Sequence, residues 1–121
     1  MEEPLAKILV VDDEVPIRQV LRRFLGVKGH EVVEAADGIE ALDALATEAF
    51  ELAIVDLIMP RMGGMELLNR MATAYPDTKV IVVSAYPDVY ETGPTVASAA
   101  AVLRKPFELV DLGEAIDTAL S

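Results

Sequence analysis

Four short stretches of this sequence carry residue types that do chemistry together: Asp12-Asp13-Glu14, Asp56, Ser84 and Arg104-Lys105-Pro106. Each follows directly on an apolar run, namely Ile8-Leu9-Val10-Val11, Leu52-Ala53-Ile54-Val55, Val80-Ile81-Val82-Val83 and Ala101-Val102-Leu103. If those runs are strands of one sheet, their ends deliver three aspartates, a hydroxyl and a cationic pair to a single edge. Carboxylates a few ångströms apart repel, which raises a pKa or calls for a countercharge. A divalent cation meets that need, and oxygen ligands without His or Cys favour magnesium over zinc. Magnesium also keeps coordination positions open and shares them with phosphate. Lys105 adds a point charge suited to a phosphoryl oxygen, and Ser84 adds a hydroxyl donor. A carboxylate beside a cation and facing a phosphate is a nucleophile arrangement that leads to an acyl phosphate.

Each residue alone has an ordinary reading. Asp12 and Asp13 suit the cap of a following helix. Asp56 would serve equally as a loop-opening aspartate before Pro60-Arg61-Met62-Gly63-Gly64. Ser84 and Lys105 are common surface types. Met59, Met62 and Met65 read as packing residues, and His30, just before the second strand, as a surface or strand-edge histidine. The joint placement at four strand ends is what singles the set out.

The strands and helices around these residues follow from pattern. Continuous aliphatic runs suit strands covered on both faces, as in a parallel sheet. Glu31-Val32-Val33-Glu34-Ala35 is more mixed and suits an edge strand. Ile17, Val20, Leu21, Phe24 and Leu25 form the apolar face of a first helix, with Gly26 and Gly29 as stop signals. Asp37 and Glu40 are spaced as a capping box opening a second. Leu67, Leu68 and Met71 mark a third, ending before Pro76, and Leu109, Leu112, Ile116 and Leu120 stripe the last. The segment from Asp88 to Ala100 should hold the fourth of five helices. Gly93-Pro94 interrupts it, predicting a short or broken helix that restarts at Pro94. Strand and helix alternating five times predict an α/β three-layer sandwich. Right-handed crossovers then put helices on both faces. In such sheets ligands bind at the carboxyl ends of the strands, near the point where strand order reverses.

The bulk numbers agree. The 121 residues fit one domain over 1–121, and 53% hydrophobic content supports a core. No apolar run is long enough to cross a bilayer, and the acidic start Met1-Glu2-Glu3-Pro4 does not read as a secretion signal. Cysteine is absent, which excludes disulfides and thiolate metal sites. These features favour a cytoplasmic protein. Twenty-one acidic residues against ten basic ones give a formal charge of −11, which opposes direct binding to nucleic acid or anionic membrane.

Val10-Val11-Asp12-Asp13-Glu14, Ala36-Asp37-Gly38-Ile39-Glu40-Ala41-Leu42, Asp56-Leu57-Ile58-Met59-Pro60-Arg61-Met62-Gly63-Gly64, Ser84-Ala85 and Lys105-Pro106-Phe107 resemble, in order and spacing, the receiver domains of two-component response regulators (CheY-like). The resemblance covers nearly the whole chain. It implies a flavodoxin-like fold with a five-stranded parallel sheet in the order 2-1-3-4-5 and a cis Lys105–Pro106 bond. It makes Asp56 the phosphoacceptor. It gives Mg2+ the ligands Asp12, Asp13, Asp56 and the Ile58 backbone carbonyl, with Asp12 bound directly or through water. Lys105 would contact the phosphoryl group, and Ser84 would move to bond it. The implied donor is a phosphohistidine on a sensor histidine kinase or phosphotransfer protein. The implied output is a changed interaction with a downstream effector domain or protein, and a second copy of the chain is a further candidate partner. Such a module is a signalling switch rather than an enzyme, catalysing only its own phosphorylation and dephosphorylation.

Three departures from the family pattern carry expectations. Val102 stands where Tyr or Phe usually couples to the hydroxyl loop, so aromatic rotamer switching cannot operate there in its usual form. The stretch from Ser84 to Lys105 is about one residue short and contains Gly93-Pro94, which bears on the usual output surface. Ile58 and Tyr86 occupy flanking positions that are polar in some relatives, and are expected to restrict attacking water and lengthen the phosphate's lifetime. A phosphorylation-independent interaction domain would follow if Val102 and Gly93-Pro94 disable the switch. An aspartyl phosphohydrolase normally carries a second aspartate two residues after the nucleophile, and here that place holds Ile58. A flavin-binding variant of the fold lacks its Ser/Thr/Gly phosphate loop after the first strand.

Overall fold

The computed structural model describes residues 4–59, 61–85 and 99–121. The apolar runs form strands β1 (Lys7–Val11), β2 (Glu31–Ala35), β3 (Leu52–Asp56), β4 (Lys79–Ser84) and β5 (Ala101–Arg104). Between and after them lie α1 (Val15–Val27), α2 (Gly38–Thr47), α3 (Gly64–Ala74) and α4 (Leu109–Leu120). All strand pairs are parallel, in the order β2-β1-β3-β4-β5. The chain steps outward from β1 to β2 and then crosses back to β3, so order reverses between β1 and β3. Their carboxyl ends carry Asp12 and Asp56.

The continuous apolar runs split between two cores because side chains alternate across a strand. Leu9, Val11, Ala53, Val55 and Val82 face α2 and α3, where Ala41, Leu45, Leu67 and Met71 meet them. Ile8, Val10, Leu52, Ile54 and Ile81 face α1 and α4, where Leu21, Leu25, Leu112 and Ile116 meet them. Helices therefore cover both faces, making the three layers expected from pattern.

Details differ from the sequence reading for local reasons. Asp56 and Ser84 are the last residues of their strands rather than the residues after them. Gly26 lies inside α1; Gly29 supplies the turn beyond it at φ 95°, a backbone region disfavoured for side chains with a Cβ. Neither Asp12 nor Asp13 is the N-cap of α1; Glu14 holds that position without a side-chain cap bond. Asp37 caps α2 by accepting the Glu40 N–H at 2.9 Å, but the Glu40 side chain accepts from Ala36 N–H, one residue before the expected return partner. Tyr75 follows α3 and ends it before Pro76. His30 leads into β2 half-buried, with Nδ1 enclosed and lacking a hydrogen-bond partner among the described residues, and burial lowers its pKa. Tyr86, Gly93-Pro94 and the expected fourth helix up to residue 98 lie outside the described residues. Among the described residues, no helix is long and apolar enough to cross a membrane.

Candidate functional site

The site is assembled by backbone bonds between strand ends. As β1 ends, the Asp12 N–H donates to the Ala35 carbonyl at 3.0 Å, continuing the sheet by one step. The Asp12 Oδ1 then accepts the Glu14 N–H at 2.9 Å, turning the chain into α1. Arg18, one turn into that helix, donates through Nη1 to the Asp12 carbonyl at 2.6 Å while its Nε reaches Glu34 at 3.2 Å. As β3 ends, Leu57 N–H donates to Val83 O at 3.1 Å and Ile58 N–H donates to Asp56 Oδ1 at 3.1 Å. As β5 ends, Lys105 N–H donates to Ser84 O at 2.8 Å, and the Lys105–Pro106 bond is cis.

These bonds bring the predicted carboxylates together. Asp12, Asp13 and Asp56 each offer an oxygen within 4.8 Å of the others. Asp12 and Asp56 are buried, at 4% and 6% exposure, and Asp13 is exposed. Lys105 Nζ lies between them, 2.8 Å from Asp12 Oδ2 and 3.0 Å from Asp56 Oδ2. It also reaches Glu14 Oε2 at 3.3 Å. Ser84 ends β4 fully buried, with its backbone carbonyl tied to Lys105. Its cationic neighbour Arg104 turns elsewhere, donating from Nη1 to the Ala85 carbonyl at 3.4 Å.

Burial and charge oppose each other here. Burial pushes the Asp56 carboxyl above the usual carboxylate range, and the neighbouring Asp12 adds to it. The Ile58 N–H and Lys105 pull the other way without cancelling the rise. Burial disfavours the Lys105 ammonium, but the Asp12 and Asp56 carboxylates outweigh it and raise its pKa. Asp56 thus has one oxygen on a backbone N–H and the other on a lysine. The donor set of three carboxylates, with no nitrogen or sulfur ligand in the cluster, fits a hard divalent cation. Lys105 supplies a single positive charge to a group holding several negative ones.

Two features of the site escaped the sequence reading. Glu14 was legible only as part of an acidic triplet, and its reach to Lys105 depends on where β5 ends. Gly64 was seen only as part of a turn motif. A Cβ there would lie 2.4 Å from the Asp56 carbonyl oxygen and 2.6 Å from Leu57 Cα, closer than real contacts allow. The N-terminus of α3 is therefore packed directly on the backbone that carries Asp56. Val102 sits in β5 beside Val82 and packs into the core under α2 and α3.

Comparison with known proteins agrees with this architecture. The family model described as the response regulator receiver domain matches residues 8–117. The response regulator MprA of Mycobacterium avium is 37% identical over 107 residues, covering 88% of this chain and 47% of the relative. The chain thus spans about half the length of the curated relatives it matches. Response regulator TrrA from Thermotoga maritima, solved in complex with Mg(2+)-BeF, superposes with a TM-score of 0.86 at 31% identity, covering 95% of this chain and 99% of that one. The signal receiver domain of an HD domain-containing protein from Pseudomonas fluorescens superposes at 0.88 with 30% identity, covering 98% and 95%. With its fold, its motif order and most of its length matched, the chain belongs to the response regulator receiver domains.

Proposed function

We propose that this receiver domain, spanning residues 1–121, accepts a phosphoryl group on Asp56 from a phosphohistidine of a sensor histidine kinase or phosphotransfer protein. The single observation that supports this is the bonding of Asp56 itself: one oxygen on the Ile58 N–H, the other on Lys105, among the oxygens of Asp12 and Asp13. A carboxylate oxygen of Asp56 attacks phosphorus as the phosphorus–nitrogen bond to the donor imidazole breaks, and the imidazole nitrogen takes up a proton from solvent. The Ile58 N–H keeps the other oxygen oriented. Lys105 exchanges its bond to Asp56 for one to a phosphoryl oxygen, which spreads the transferred charge. The Ser84 hydroxyl closes on the phosphoryl group from the adjoining strand end. Asp12, Asp13, Asp56 and the Ile58 carbonyl would hold Mg2+, which when bound supplies positive charge to the phosphoryl oxygens.

The product is a switch state rather than a released compound, so the domain acts as a signalling module, with only its own phosphorylation and dephosphorylation as chemistry. The modified edge of the sheet changes the domain's fit to an effector domain or protein, in the cytoplasm, without direct contact to nucleic acid or membrane. Ile58, two residues after Asp56, is 46% exposed, and we read its apolar side chain as restricting attacking water. The phosphate is therefore comparatively long-lived, and a lifetime of seconds under Mg2+ would contradict that.

Beryllofluoride, a phosphoryl mimic, provides the test. A Mg2+-dependent change in tyrosine fluorescence that is lost in Asp56→Asn supports the reading. No response in the parent protein would leave a phosphorylation-independent interaction domain.

A further inference from the structure

Beyond the strand ends, the loop between β3 and α3 bears on the site: its second residue, Ile58, donates its N–H to Asp56 Oδ1, while the rest of the loop is fastened elsewhere. Its first residues are fastened to the sheet by Leu57 N–H on Val83 O, and its end by Gly64 N–H on Leu57 O at 3.0 Å. Further along, it is fastened to a different element. The Met62 carbonyl accepts the Gly38 N–H at 3.1 Å, and the Met62 side chain fills the space that a Cβ at residue 38 would need. Arg61 donates from Nε at 2.6 Å and lies with Nη2 at 2.5 Å from the same oxygen, Asp37 Oδ2. Glu40 stands 3.8 Å from the same guanidinium.

Two observations separate this pair from an ordinary surface contact. Arg61 has φ 61°, in the left-handed region that residues with a Cβ rarely occupy and that tertiary contacts must hold. Asp37 is nearly enclosed, with a side chain 5% exposed, so its charge needs a partner. Its other oxygen is already committed to the cap of α2. By contrast Arg70 and Glu66 pair along α3 with both side chains more than half exposed, an arrangement that contributes little.

We infer that Arg61 is a positioning residue for phosphoryl transfer: its ion pair with the buried Asp37 clamps the β3–α3 loop to the first turn of α2. The clamp thereby steadies the loop that carries Ile58, whose N–H orients Asp56 and whose carbonyl is a proposed cation ligand. The inference rests on the reading of Asp56 as phosphoacceptor. Arg61 acts through the loop, so its loss should move cation affinity as well as rate, without removing any ligand.

The test compares Arg61→Gln, Asp37→Asn and their double variant with the parent, and takes Arg70→Gln as the control. Asparagine still caps a helix, so Asp37→Asn removes the charge and spares α2. Mg2+ affinity is measured by calorimetry on unphosphorylated protein, the phosphorylation rate with acetyl phosphate at saturating Mg2+, and the thermal midpoint in EDTA. Each single variant is expected to weaken Mg2+ binding and slow phosphorylation on the order of 10-fold, as loss of ligand-orienting partners does elsewhere. The double variant should be no worse than either single, because both remove one interaction. Arg70→Gln should match the parent. A lower thermal midpoint with unchanged Mg2+ affinity and rate, or additive losses in the double variant, overturns the clamp. A parent that takes no phosphoryl group on Asp56 overturns the functional reading, and the clamp's role with it.

Discussion

Two corners of the molecule hold one lysine among three carboxylates, and only one of them is built as a site. At the amino ends of the strands, Lys7 pairs through Nζ with Glu31 at 3.2 Å and with Glu48, while its backbone N–H donates to Glu51 at 2.5 Å. At the carboxyl ends, Lys105 pairs with Asp12, Asp56 and Glu14. The chemical inventory is nearly the same. The Lys7 partners are long glutamates whose side chains keep much of their contact with water, and that ammonium's pKa is raised, first by its bond to Glu48. The Lys105 partners include two short aspartates fixed at strand ends and buried, and there the Asp56 carboxyl is pushed up. Short side chains on a rigid edge cannot move apart to relieve repulsion. Burial of like charges makes a place that a dication would stabilise; solvated charges leave only a salt-bridged surface.

Breaking the buried corner should cost most. Lys105→Ala leaves Asp12 and Asp56 facing each other without a countercharge, and should destabilise the metal-free protein by about 3 kcal/mol in denaturant titrations at neutral pH. Added Mg2+ should recover part of that loss, because a ligand bound only to the folded state stabilises it. Gly64→Ala should destabilise by about 2 kcal/mol, as overpacking does, and should also slow phosphorylation by displacing the Asp56 backbone. A stability loss with unchanged phosphorylation would separate the packing from the site.

A subtler comparison uses pH. Asp56 has its folded-state pKa raised by burial, so its ionised form opposes folding. That opposition is fully present above the raised value and vanishes below the unfolded carboxylate range, where both states hold the proton. Asp56→Asn should therefore stabilise the metal-free protein at neutral pH, with the gain shrinking as pH falls toward 4. A gain independent of pH would show that charge is not the cause. The smallest effect is expected at the solvated corner: Lys7→Ala should leave the unfolding midpoint close to that of the parent. A loss matching that of Lys105→Ala would erase the distinction between the two corners.

Much of this was legible in the sequence because it depends on local pattern. The apolar runs announced β1, β3 and β4, and the aspartates just beyond them announced an acidic edge. Asp37 and Glu40 announced the start of α2 by their spacing. What was illegible depends on the meeting of distant segments. Nothing near Lys105 says that its ammonium reaches Asp12 and Asp56, since that follows from β5 lying beside β4 in register with Ser84 across from Arg104. The pairing of Arg61 with Asp37 needs the β3–α3 loop to fold onto α2, and the closeness of Gly64 to Asp56 needs the angle at which α3 leaves β3. Gly26 misled because a glycine within a helix and one just past it look alike until φ is known; of the two, Gly29 has the positive value.

All of this turns on one event, the arrival of phosphorus on the buried carboxylate at the end of β3. Intact-mass analysis of the protein incubated with acetyl phosphate tests it most directly, with and without Mg2+, in the parent and in Asp56→Asn. The mass of one added phosphoryl group is expected in the parent with Mg2+, little without it, and none in the variant. Addition that survives Asp56→Asn, or a parent that stays unmodified with Mg2+ present, would contradict it.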